Sequence, residues 1–197
     1  MTFNIILFPA FETLDVFGPV EIFGKIEKTE IKFYSSEGGT IKNRDGVRID
    51  TRPIDQVRTE ELDVLFIPGG MGARIKVGNK KFIDKIRTLA EQSRYVLTVC
   101  TGSALLAKTG LLDGKKATSN KRSFEWAKTS SDKVNWIKQA RWTVDDKYYT
   151  SSGISAGMDM TLGFISDIKG DEYAREIAHR IEYNWQTNKD HDDFCNQ

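Results

Sequence analysis

The chain has 197 residues, with 29 Lys and Arg against 28 Asp and Glu and a formal net charge of +1 at pH 7. That length suits one domain, here taken as residues 1–190 followed by a polar tail at 191–197, and charges that nearly balance without a basic stripe argue against nucleic acid as a partner. Nowhere do about 18 apolar residues follow one another, and MTFNIILFPAFETLD has neither a basic stretch before its apolar run nor a small-residue cleavage site, so neither membrane association nor export is expected. Cys100 and Cys195 form no spaced framework, and His179 and His191 stand outside zinc-type spacings, which fits a reduced, cytoplasmic compartment and no metal.

In chain order, residues 3–8 (FNIILF) form an apolar run closed by Pro9, the pattern of a strand covered on both faces. Residues 15–26 (DVFGPVEIFGKI) can share a helical face through Val16, Val20 and Phe23, with Pro19 tolerable near the first turn. Residues 30–39 (EIKFYSSEGG) alternate as a strand and end in a glycine pair. Residues 61–70 (ELDVLFIPGG) form a second buried strand stopped by Pro68-Gly69-Gly70, a loop whose backbone must pass close to something. Residues 80–92 place Phe82, Ile83, Ile86, Leu89 and Ala90 at helical spacing. YVLTV (95–99) is the next buried strand and TGSALLAKTGLL (101–112) the helix behind it.

Beyond Lys116 the pattern loosens. KATS (116–119) reads as a short strand, SFEWAKT (123–129) as a helical turn or two, and residues 134–152 as a hairpin turning at Asp145-Asp146. Residues 156–168 and 171–186 close the chain as two helices, the second with Tyr173, Ile177, Ile181 and Trp185 spaced by about four; the tail reads as frayed. Trp126, Trp136, Trp142 and Trp185 read as core or dimer-contact aromatics. Strands alternating with helices predict an α/β fold, a mostly parallel sheet with helices on both faces.

In such sheets ligands bind at the carboxyl ends of the strands. Those ends lead here to Asp15, to Gly69-Gly70 and to Cys100-Thr101-Gly102. A residue between a buried strand and a helix must turn sharply, which would lift Cys100 into the crevice; the helix start near Thr101 would favour its thiolate. The alternative is an inert core thiol. The glycines at 69 and 70 could offer backbone N–H groups to a developing negative charge, or simply end a strand. Asp15 is either a helix N-cap for Phe17 or Gly18, or a carboxyl beside Cys100 that holds a proton for transfer. Neither histidine is placed to complete a Cys-His-Asp triad.

The segments FPAFETLDVFGPVEIF, DVLFIPGGMGAR, VLTVCTGSALLAKTGLLDGKKAT, YYTSSGISAGMDMTL and IEYNWQ resemble, in order, the ThiJ/PfpI superfamily of class I glutamine amidotransferase-like proteins, and most of all its isocyanide (isonitrile) hydratase branch. The resemblance implies a flavodoxin-like three-layer sandwich with a nucleophile elbow, commonly a homodimer. It implies Cys100 as nucleophile, Asp15 in contact with its sulfur, the Gly69-Gly70 amides facing it, Thr101 following it, and Ile154 near the substrate. Thr101 separates this chain from peptidase and many glyoxalase or deglycase-like relatives, which have histidine there. ATSNKRSFEW departs from relatives that often carry a histidine near Asn120 or Lys121. The activity implied is a lyase that hydrates a small isocyanide to an N-substituted formamide without a cofactor. The main rival is a thiol-based stress or ligand-sensing protein of the same fold; glyoxalase, deglycase or peptidase hydrolase chemistry comes third.

Overall fold

The computed structural model describes residues 1–196. Strand β1 (Thr2–Ile6) is followed by α1 (Thr13–Phe23), β2 (Glu30–Ser35), the hairpin β3 (Gly39–Lys42) and β4 (Arg48–Pro53), then β5 (Val64–Ile67). Next come the single turn α2 (Ala73–Lys76), α3 (Lys80–Gln92), β6 (Tyr95–Val99) and α4 (Gly102–Lys108). The last part holds β7 (Lys116–Ala117), α5 (Phe124–Lys128), β8 (Asn135–Trp136), β9 (Trp142–Asp145), β10 (Tyr148–Ser151), α6 (Ala156–Lys169) and α7 (Asp171–Arg180).

Eight strands form one sheet in the order β3-β4-β2-β1-β5-β6-β10-β9, with β7 and β8 paired separately. The six from β4 to β10 in that order run parallel, and only the edge strands β3 and β9 pair antiparallel. This is the predicted flavodoxin-like arrangement. β1, β5 and β6 are buried on both faces because helices cover both, which is why they read as apolar runs rather than alternations. Phe3 stacks on Phe23 at 3.9 Å, and Phe66 meets Phe23 edge-on, tying α1 to the sheet. No helix among the described residues is long and apolar enough to cross a membrane.

Several local expectations change. The helix after β1 starts at Thr13, so Pro19 lies in its middle, and Ile22 rather than Val20 is buried with Val16 and Phe23. The β3–β4 hairpin carries mostly polar, exposed residues and follows no apolar run. The helix α4 stops at Lys108 because Gly110 takes a left-handed conformation, φ 83°. Helix α7 stops at Arg180, where Glu182 turns left-handed at φ 52°, so Ile181 and Trp185 do not continue its face.

The tail predicted to fray is docked. Arg141 N–H donates to Lys189 O at 2.7 Å, Asp192 N–H to Gln139 O at 2.7 Å, and the Asp192 side chain is fully buried. Behind it lies a buried ion pair: Arg141 Nε donates to Asp159 Oδ2 at 2.7 Å, while Asp159 Oδ1 accepts from Tyr183 Oη at 3.0 Å and Gln186 N–H at 2.9 Å. Removing one partner strands the other without water. Arg141→Leu should therefore cost about 3–5 kcal/mol in unfolding free energy, read as a lower urea midpoint.

Candidate active site

The ends of β1, β5 and β6 meet where the strand order reverses about β1, the position at which open α/β sheets bind ligands. Cys100 follows β6 directly at φ 56°, a left-handed conformation that costs a non-glycine residue about 1–3 kcal/mol. Its surroundings hold it there. Its N–H donates to Ser151 O and Ser152 O at 3.2 Å each, and its carbonyl accepts from Ser119 Oγ at 2.9 Å and Ser103 Oγ at 3.0 Å.

Gly102 permits the turn by packing. A Cβ there would lie 2.3 Å from Ile67 O and 2.8 Å from Pro68 O, both backbone atoms that cannot give way. Gly102→Ala should destabilise the fold by about 1–3 kcal/mol and displace Cys100, which unfolding curves and the Cys100 alkylation rate would report. Gly69 packs likewise: its Cβ would lie 2.6 Å from Thr101 N and 2.9 Å from Asp15 Oδ2.

Asp15 is not the N-cap of α1. Glu12 occupies that position, and Asp15, in the first turn, is fully buried and accepts from Gly69 N–H through Oδ2 at 2.9 Å. Its Oδ1 has no well-aligned partner. Burial holds the carboxyl well above its ordinary 3.8; Gly69 N–H opposes this, the Glu12 charge adds to it, and a weak contact from the Cys100 thiol opposes it. Burial also pushes the Cys100 thiol up, the Asp15 charge reinforces this, and the Thr101 N–H and hydroxyl pull it back. The expected thiolate from the helix start is thus outweighed by desolvation. Burial thus shifts both groups of the pair toward their protonated forms, and Oδ1 is the carboxyl oxygen without a hydrogen-bond partner.

The glycine amides are not free to receive a developing charge. Gly69 N–H is committed to Asp15, and Gly70 N–H donates to Thr101 Oγ1 at 3.0 Å. Gly69 and Gly102 lie outside the cleft above the sulfur, whereas Gly70, Thr101 and Ile154 line it. Asn120 supplies a donor that the sequence reading passed over. A Cβ on Gly153 would lie 2.2 Å from Asn120 Nδ2 and 3.1 Å from Cys100 Sγ, so amide and sulfur both pack close against that glycine, and both line the cleft. Asn120 Oδ1 meanwhile accepts from Ser123 N–H at 3.1 Å, which orients the amide and leaves Nδ2 toward the cleft. Its sequence signals were the N-x-x-S capping pattern and its place near the histidine that relatives often carry.

Lys121 points elsewhere. Its Nζ donates to Thr118 Oγ1 at 3.0 Å and Ala140 O at 2.5 Å, and burial lowers it to about 8. His179 and His191 are exposed and line no part of the cleft. Among the described residues no group of three or more His, Cys, Asp or Glu side chains could hold a metal ion. The cleft itself measures about 370 Å³ and is rimmed by Glu12, Met71, Arg74, Asn120, Arg122 and Ile154, among others.

The family description "DJ-1/PfpI family" matches residues 1–167. The chain belongs to the DJ-1/PfpI family. Members differ in chemistry. An isonitrile hydratase of Pseudomonas putida is 29% identical over 181 residues, which is 91% of this chain and 77% of that protein. A deglycase of Pyrococcus horikoshii is 34% identical over 97 residues, 48% of this chain and 58% of that protein. Among solved structures, a ThiJ/PfpI family protein from Pseudomonas syringae superposes with a TM-score of 0.81 at 24% identity, covering 93% of this chain and 75% of that one. That structural likeness establishes the fold.

Proposed function

We propose that this DJ-1/PfpI protein is a cysteine-dependent hydratase that converts a small isocyanide to an N-substituted formamide. The single observation that carries the reading is the burial of Asp15 and Cys100 side by side, where burial raises the carboxyl well above its ordinary range and its Oδ1 has no hydrogen-bond partner. Hydration of R–NC begins with addition of sulfur and hydrogen to one carbon. That requires a nucleophile and an acid side by side.

The sequence of steps balances with one proton drawn from the pair. Cys100 Sγ bonds to the terminal carbon as the proton passes to that same carbon, giving a thioimidate, R–N=CH–S–Cys100. The Asn120 amide is placed to hold the substrate beside the sulfur. Water then adds to the thioimidate carbon, its proton reaching nitrogen; the carbon–sulfur bond breaks, the formamide leaves, and the proton returns to the pair. Thr101 Oγ1 and the Gly70 loop brace one side of the site, and Ile154 supplies an apolar wall.

We further propose one domain acting as a homodimer in a reducing, cytoplasmic compartment. Exposed Leu14, Phe17, Ile154 and Phe194 offer apolar surface for a second copy, and both cysteines are free. The activity is tested by incubating the protein with neutral and acidic isocyanides and following formamide. Turnover above a Cys100→Ser control supports the hydratase. Its absence across the panel, with Cys100 oxidised by stoichiometric peroxide, would move the assignment to a thiol sensor.

A further inference from the structure

Three guanidinium groups gather around the mouth of the Cys100 cleft: Arg44, Arg74 and Arg122. They come from separate segments, the β3–β4 turn, α2 and the short turn before α5. Against them the same cleft presents one carboxylate, Glu12. The arginine ion pairs among the described residues are made by Arg58, Arg87, Arg141 and Arg175, so none of the three at the cleft forms an ion pair with a carboxylate of the described residues.

One of these groups is held by specific contacts, and the turn that carries another is anchored. The Arg74 guanidinium lies 4.4 Å above the Trp126 ring and donates to Ser123 Oγ at 3.3 Å. The turn bearing Arg44 is tied to the start of α1, where Asn43 Nδ2 donates to Thr13 Oγ1 at 2.6 Å and Thr13 Oγ1 donates to Asp45 Oδ2 at 2.5 Å. Gathering like charges around one opening raises its potential and costs repulsion that an incoming anion relieves. Guanidinium groups also match carboxylate and phosphate oxygens in geometry. The cleft volume of about 370 Å³ suits a small molecule whose reactive end and charged end are both held.

We infer that the molecule reaching Cys100 carries an anionic head group, a carboxylate or a phosphate, bound at the cleft mouth by Arg44, Arg74 and Arg122 while its reactive end faces the sulfur. In combination with the hydratase reading, on which its substrate side rests, this names the substrate class as a negatively charged isocyanide.

The binding side is tested without any turnover. Cys100 alkylation by iodoacetate and by iodoacetamide is followed by peptide mass spectrometry, which separates Cys100 from Cys195, and the rate ratio is divided by that for glutathione. The expected result is a normalised preference for iodoacetate of roughly tenfold at low salt, the lower end of electrostatic focusing in clefts. It should collapse in 0.5 M NaCl, as screening over about 4–5 Å requires. The variants Arg44→Ala, Arg74→Ala and Arg122→Ala should each lower the ratio, with the iodoacetamide rate as internal reference against misfolding. A normalised ratio at or below one in the wild-type protein, or one unmoved by all three substitutions, overturns the inference. Inorganic phosphate added at constant ionic strength distinguishes the head groups: competition with iodoacetate assigns phosphate, and no competition assigns carboxylate. In turnover, hydration of neutral isocyanides but not isocyanoacetate would contradict the inference and keep the hydratase. Charge-selective alkylation with no turnover of either would do the reverse.

Discussion

Asp15→Asn is expected to lower kcat for isocyanide hydration by about 10²- to 10⁴-fold, the contribution typical of a positioned general acid. The amide keeps the size of the side chain and can still accept from Gly69 N–H, so the elbow should stand while the proton for carbon is lost. The same variant should change how stability depends on pH. Burial raises the Asp15 carboxyl well above 3.8 in the folded protein. As pH rises above 3.8 toward the raised folded-state range, the native state holds a proton that the unfolded chain has released, so this group makes stability fall with rising pH there. Asparagine carries no such proton. Urea unfolding should therefore find the variant relatively more stable, compared with wild type, at pH 7 than at pH 4. Parallel profiles for the two proteins would mean that Asp15 is ionised in the fold and holds no proton to deliver.

Cys100→Ser is expected to abolish turnover, a loss of at least about 10⁴-fold of the kind seen when an enzyme nucleophile is removed. A serine hydroxyl at this site has no histidine to take its proton, since His179 and His191 are exposed and away from the cleft. Stability should change little, because serine has nearly the same volume and the hydrogen bonds that hold φ at 56° involve the backbone of residue 100. A thermal midpoint within a few degrees of wild type, beside lost activity, separates chemistry from folding. Residual turnover above a few per cent would assign the reaction to another group.

The buried strands were legible because covering both faces leaves unbroken apolar runs, and α3 was read to the residue because Phe82, Ile83, Ile86, Leu89 and Ala90 form one helical stripe. The elbow was legible through Cys100 and the small residues after it, which only tight packing against Ile67 and Pro68 would demand. The β3–β4 hairpin escaped notice because its strands lie at the sheet edge and bury little, yet it delivers Arg44 to the cleft. The role of Asp15 depended on which backbone amide lay opposite, a long-range fact that no local pattern encodes; Gly69 stands 54 positions away. For the same reason the sequence left the glycine amides open between donors to a developing charge and a plain strand end, and in the fold they are occupied. The polar tail looked loose since its anchors, Arg141 and Gln139, lie in a different segment.

The central claim is that sulfur and hydrogen add to one carbon at Cys100, and the covalent intermediate is its most direct record. Wild-type protein mixed with a reactive isocyanide, quenched rapidly in acid and digested, should yield a Cys100 peptide heavier by the full mass of the isocyanide, as the thioimidate requires. Cys195 should remain unmodified in the same digest. An unmodified Cys100 peptide at every quench time, in a sample that is producing formamide, would contradict the account.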